Sequence, residues 1–162
     1  MKYILSENLV AISNDYKVKD TEGNLRYEID GKISASSEKL YFKDHSGNKL
    51  FKLKKKLLSF NDSFIIEKNG EDYAEVHKKL LTPLKENFIL DTPYGEIEIK
   101  GDFIDHEFEF FDEDNEKIAK VSKDLILETD KYVVDVFEFD DHALILAASI
   151  IIDLVEHDEG EE

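Results

Sequence analysis

The strongest constraint in this sequence is an apolar run near its end, at residues 143–155, in which Asp153 is the only charged side chain. The run is rich in alanine, leucine and isoleucine. It is longer than the usual strand of about 5 to 6 residues, so we expect it to form a helix, with a pair of strands as the alternative. Either Asp140 or Asp141 can supply the oxygen that caps the first turn.

A helix that is apolar on nearly all sides has to be surrounded on nearly all sides. A sheet packed on one side of the helix would leave the other side exposed to water. A barrel closed around the helix covers it completely and leaves no open sheet edge. Barrels wide enough to hold a helix need more than the roughly 8 strands whose own side chains fill the interior. We therefore predict a mainly β fold, a closed antiparallel barrel of about twelve strands around a central C-terminal helix.

Most of the chain before the helix reads as strands. Apolar and polar residues alternate from Tyr3 to Val136, as in residues 94–100, which suits strands that bury one face. Asn, Asp and Gly mark hairpin turns between the strands at residues 20–24, 44–48, 69–70 and 112–115.

The chain also repeats itself. With an offset of 68, residues 40–66 align without a gap to residues 108–134. The identical pairs are Phe42/Phe110, Asp44/Asp112, Lys49/Lys117, Lys52/Lys120, Lys55/Lys123, Leu57/Leu125 and Asp62/Asp130. Lysines that match on the solvent side favour an internal duplication over a chance likeness between two amphipathic hairpins.

Composition limits the class of protein. A chain of 162 residues predicts a single domain, here 1–162, with an acidic tail at 156–162. It has no cysteine, and its start shows no export signal, so we expect a cytoplasmic protein. A formal charge of −17 opposes binding to nucleic acid. The apolar run is shorter than the roughly 20 residues of a transmembrane segment.

Several phrases together resemble the LURP-one-related proteins, which belong with the tubby C-terminal superfamily. These phrases are residues 20–24, 49–59, 101–108 (GDFIDHEF), 119–123 and the apolar run 143–155. The resemblance covers roughly residues 16–155. It implies a barrel of about twelve strands that encloses a hydrophobic C-terminal helix, which agrees with the inference from the helix alone.

The superfamily includes phosphoinositide-binding tubby proteins and phospholipid scramblases, so the resemblance also implies a possible lipid partner. This chain departs from them in its strong negative charge, and it has no arginine-rich site onto which a tubby headgroup pocket can be transferred. No binding residue is carried over from the family.

One basic cluster stands out, at Lys49, Lys52, Lys54, Lys55 and Lys56. On a strand, Lys52, Lys54 and Lys56 share a face and can hold a phosphate or an anionic lipid headgroup, while Lys55 points with Leu53. The alternative is a solvated strand face whose lysines prevent aggregation.

Signals for metal binding or catalysis are weak. Asp112, Asp114 and Glu116 alternate as in a calcium loop, but lysines replace the glycine and glutamate that an EF-hand requires. His106 lies between two acidic residues and could begin a metal site or have a structural role. No nucleophile motif or phosphate loop is present.

We therefore expect no catalytic residues, no metal and no cofactor. The favoured function is a non-catalytic intracellular binding or scaffold module for a protein or a small ligand. The alternative is a peripheral phospholipid-interacting protein that uses the strand at residues 49–56.

Overall fold

A computed structural model describes residues 1–10, 13–30, 33–34, 37–56, 63–82, 85–123 and 131–160. These residues form thirteen strands and one helix. The strands are β1 Lys2–Val10, β2 Ser13–Asp20, β3 Leu25–Asp30, β4 Ile33–Ser34, β5 Ser37–Asp44, β6 Lys49–Lys56, β7 Ser63–Lys68, β8 Glu71–Thr82, β9 Lys85–Thr92, β10 Gly95–Asp102, β11 Glu107–Phe111, β12 Lys117–Ser122 and β13 Lys131–Val136. The helix, α1, is His142–Gly160.

Twelve of the described strands close into an antiparallel barrel. Strands that follow each other along the chain pair with each other, except that β3 pairs with β5, and β1 pairs with β13 to close the ring. The two-residue strand β4 pairs with β5 and stands outside the ring. The predicted barrel of about twelve strands is therefore confirmed.

The helix fills this barrel. No residue from Leu144 to Val155 is more than 8% exposed, so every side of the helix is covered. At its first turn, Tyr3 of β1 and Tyr73 of β8 hydrogen-bond to His142 and Asp141 respectively. β1 and β8 lie six strands apart in the twelve-strand ring, which places the helix between opposite walls. The strand-pair alternative for this segment is wrong.

Asp141 caps the helix, since its Oδ1 accepts the N–H of Leu144 at 3.2 Å. The helix is longer than the apolar run. It continues to Gly160, through most of the segment expected to be an acidic tail, and residues 161 and 162 lie outside the described part.

The core lies between the helix and the inward face of the strands. Alternate strand residues are buried as the sequence predicts, for example Phe108 and Phe110 in β11 and Tyr132, Val134 and Val136 in β13. These side chains form one continuous cluster with the helix. Burial of apolar surface stabilises a fold by about 25 cal/mol for each Å², so this shared cluster is the main stabilising contact of the protein.

The four predicted turns connect paired strands, and three of them are built alike. In each of these three, Oδ1 of the first aspartate, at Asp20, Asp44 or Asp112, accepts two backbone N–H groups at 2.9 to 3.0 Å. The hydrogen bonds from Asn24 and Asn48 hold the pKa of Asp20 and of Asp44 below its usual range. These three aspartates therefore fix the conformation of their hairpin turns.

The repeated segments match in register. Leu40 pairs with Leu53, and at the offset of 68 Phe108 pairs with Val121. The register of strand pairing shifts at the equivalent position in each hairpin, after Phe42 in one and after Phe110 in the other. The duplication itself stays a prediction, and the aligned residues Leu57, Asp62, Leu125 and Asp130 lie outside the described residues.

We predict that Ile151→Ala lowers the free energy of unfolding by about 2 to 5 kcal/mol, because it opens a cavity between helix and barrel. Ile151 is fully buried, whereas Ile104, in the β10–β11 turn, is 79% exposed. The matched variant Ile104→Ala should change stability by less than about 0.5 kcal/mol. Urea titration of both variants measures this, and equal effects would contradict the buried position of the helix.

Candidate functional site

The predicted lysine face exists on the outside of β6. Leu53 faces the core, so Lys52, Lys54 and Lys56 point outward as predicted. Lys55 pairs with the buried Phe64 and therefore belongs to the inward row, again as predicted.

Two of these three lysines are held by carboxylates of other strands, β7 and β8. Lys54 Nζ lies 2.5 Å from Glu67 Oε2, and Lys56 Nζ lies 3.8 Å from Glu75 Oε1. The hydrogen bond between Lys54 and Glu67 raises the pKa of the lysine and lowers that of the carboxyl group. Within the described residues, Lys52 has no carboxylate at ion-pair distance, so it is the cation of the three that remains available.

Lysines of the neighbouring strand β5 extend the lysine face beyond β6. Lys39 of β5 is the cross-strand neighbour of Lys54. Lys43 of the same strand forms an ion pair with Asp30, in which Nζ lies 3.0 Å from Oδ2. The positive charges of Lys52 and Lys39 also help to lower the pKa of Glu67. Lys39 and Lys43 were missed as members of this face because only the strand register places them beside β6.

A shallow depression lies at the end of this face that is nearest the β7–β8 turn. Its volume is about 190 Å³, and its lining includes Tyr41, Lys49, Leu50, Lys52 and Glu67. The ammonium group of Lys49 lies over the ring of Tyr41, 4.3 Å from the ring centre. The depression thus combines two lysines, one carboxylate and the aromatic rings of Tyr41 and Phe51.

A second polar cluster lies inside the barrel, around the carboxylate of Asp153. Tyr16 donates a hydrogen bond to Oδ2 at 2.8 Å, and His106 Nε2 lies 2.6 Å from Oδ1. His106 occupies a left-handed conformation in the β10–β11 turn, with φ 55°, and stacks on Tyr132. Burial of a carboxylate is unfavourable without hydrogen bonds, and these two contacts satisfy both oxygens.

Lys78 reinforces the same end of the helix. It is only 7% exposed, and its ammonium group lies 3.2 Å from Glu86 and 3.9 Å from Glu156 of the helix. A buried lysine needs such partners because burial disfavours its charge. The helix is therefore held near its C-terminal end by charged and polar side chains of β2, β8 and the β10–β11 turn.

The N-terminal end of the helix carries a tyrosine cluster. Tyr73 donates to Asp141 Oδ2 at 2.7 Å, and the hydroxyl of Tyr94 lies 3.2 Å from that of Tyr73. Burial, followed by these two hydrogen bonds, raises the pKa of Tyr73 well above its usual value. Burial also lowers the pKa of His142, whose Nδ1 lies 2.7 Å from the hydroxyl of Tyr3.

The weaker sequence signals do not converge on a site. Oδ1 of Asp112 accepts a backbone N–H of its own turn, and the hydroxyl of Ser149 donates to the carbonyl of Ile145 in the helix. Across the described residues, no three histidine, aspartate or glutamate side chains come close enough to hold a metal ion. His106 contacts Asp153 and Tyr132, which is the structural role given above as one of its two alternatives.

Fold and side-chain clusters together define a class of protein, a twelve-stranded antiparallel barrel closed around its own C-terminal helix. The sequence model of the LURP-one-related family matches residues 1–153. The chain therefore belongs to the LURP-one-related family, as its sequence phrases indicated.

A solved structure shares the fold. The X-ray structure of a protein from Arabidopsis thaliana is similar to this chain with a TM-score of 0.65 and 15% sequence identity, and the match covers 96% of this chain and 91% of that chain. A search of curated proteins found no match. Among the described residues, no helix has the length and apolar character needed to cross a membrane.

We predict that Tyr16→Phe lowers the free energy of unfolding by about 1 to 3 kcal/mol, because it removes a buried hydrogen bond to a carboxylate. Tyr94→Phe is the control, since Tyr94 is 57% exposed and its hydroxyl lies 3.4 Å from Asp141. The control should change stability by less than about 0.5 kcal/mol. Chemical denaturation compares the two, and an unchanged Tyr16→Phe variant would show that the Asp153 cluster does not stabilise the helix position.

Proposed function

We propose that this protein is a non-catalytic intracellular binding module, which recognises a protein or a small ligand with the outside of its barrel. The observation that carries the proposal is the filled interior. Wide barrels commonly hold ligands in the space that their strands enclose. Here residues 144–155 fill that space, so a ligand has to bind on the exterior or at the rims.

The contacts that the polar side chains at the two ends of the helix make support a role without catalysis. Asp153 and His106 are engaged with each other, and Asp141 caps the helix and accepts a hydrogen bond from Tyr73. A general base needs to reach the proton that it removes from a substrate. These side chains are instead directed at contacts that hold the helix in place.

A thermal-shift screen of lipid headgroups, metal ions and metabolites tests the proposal, because a ligand that prefers the native state raises the melting temperature. We expect any ligand found in this way to protect backbone amides of outer strand segments or turns in hydrogen exchange. Amides of residues 144–155 lie in the core and exchange through global unfolding, so they should be protected only as much as the gain in global stability predicts. Turnover of the ligand, or protection of the helix beyond that amount, would contradict the proposal.

A second candidate function is peripheral binding to anionic phospholipids through the lysine face. It is favoured by Lys39, Lys49 and Lys52, which have no carboxylate at ion-pair distance among the described residues. The overall charge of −17 repels such a surface, so attraction has to be local. Binding of this kind weakens as salt screens the charges.

This candidate predicts that the protein floats with phosphatidylserine vesicles at low salt and is released at about 1 M salt, where the Debye length is about 3 Å. The triple variant Lys39→Gln, Lys49→Gln, Lys52→Gln should lose most of the retention. The control triple variant Lys19→Gln, Lys117→Gln, Lys120→Gln loses the same charge elsewhere and should keep it. The absence of retention on anionic vesicles at low salt would eliminate the candidate.

A further inference from the structure

The depression beside the β7–β8 turn differs from the rest of the lysine face. Two of its lining side chains, Lys49 and Lys52, have no carboxylate at ion-pair distance in the part of the chain that the structure describes. The nearby carboxylate, Glu67, is engaged by Lys54. The two ammonium groups therefore remain available to an anion that enters the depression.

The repeated hairpin provides an internal comparison. At the offset of 68, Lys49 and Lys52 correspond to Lys117 and Lys120 on β12. Lys117 is paired with Glu109, and the cross-strand neighbours of Lys120 are Glu109 and Asp135. Lys52 instead lies between Tyr41 and Glu67. The first of the two positions is thus ion-paired at Lys117 and, among the described residues, unpaired at Lys49. The second has two acidic cross-strand neighbours at Lys120 but one at Lys52.

The number of charges and the size of the depression indicate the ligand. A phosphate monoester carries about −1.5 to −2 charges at neutral pH, which matches two ammonium groups better than a diester or a carboxylate does. Lysine binds phosphate as a point charge, and a tyrosine hydroxyl can donate a further hydrogen bond. Drug-sized ligand pockets have volumes of about 300 to 1,000 Å³. A depression of about 190 Å³ is smaller and suits a phosphate on a short carbon chain.

We propose that the depression formed by Tyr41, Lys49, Leu50, Lys52 and Glu67 binds a phosphate monoester group. The phosphate lies between Lys49 and Lys52, and the carbon chain next to it packs against Leu50 and the ring of Tyr41. This site rests on the proposed exterior binding function and gives it a ligand class. A soluble phosphorylated metabolite and the headgroup of phosphatidic acid both carry the required group.

Titration with glycerol 3-phosphate, followed by amide chemical shifts, tests the site. We expect the largest shifts at Lys49, Lys52 and the Asn69–Gly70 turn, and affinity that weakens below about pH 6 as the phosphate gains a proton. The double variant Lys49→Gln, Lys52→Gln should bind at least about tenfold more weakly. The control Lys117→Gln, Lys120→Gln should bind like the wild type. Melting temperatures of both variants establish that they fold.

A parallel flotation experiment separates the two sources of the phosphate. Retention on phosphatidic acid vesicles, but not on phosphatidylglycerol vesicles, without binding of glycerol 3-phosphate identifies a membrane ligand, and binding of glycerol 3-phosphate identifies a soluble one. The proposal is overturned if neither monoester binds at low salt, or if both double variants weaken binding equally. In that case, a ligand from the thermal-shift screen that protects other outer strands would still support the exterior binding function.

Discussion

The structure depends on one constraint, which is that a helix apolar on every side has to be covered on every side. Residues 144–155 expose at most 8% of their surface, and no single sheet face can achieve this. A closed ring of strands achieves it, because opposite walls such as β1 and β8 both contact the helix. The ring therefore needs more than the roughly 8 strands whose own side chains would fill its interior.

Polar contacts at the two ends set the position of the helix along the barrel. Apolar packing is not directional, so it favours burial without fixing how far the helix slides. Hydrogen bonds are directional, and Asp141 at one end and Asp153 at the other receive them from tyrosines of the wall. A helix that fills its own barrel also leaves no interior space for a ligand, so the binding function that we propose has to use outer surfaces such as the lysine face.

Much of the fold was predictable from local patterns. The apolar run, the alternating strands and the aspartate turns each report on their own segment, and together they indicated a barrel around a helix. The face shared by Lys52, Lys54 and Lys56 followed from the two-residue period of a strand. The partners of Asp153, Lys54 and Lys56 were not predictable, because Tyr16, Glu67 and Glu75 come from other strands. Strand register across the barrel brings them together, and no local pattern encodes it.

The central claim is that α1 lies inside the ring, and methyl–methyl nuclear Overhauser effects test it most directly. With isoleucine, leucine and valine methyl groups labelled, helix residues on opposite faces, such as Leu144 and Leu146, should between them show contacts to Val18 of β2 and to Leu90 of β9. These strands lie six positions apart in the ring. Contacts from the helix to only one half of the barrel would contradict the account.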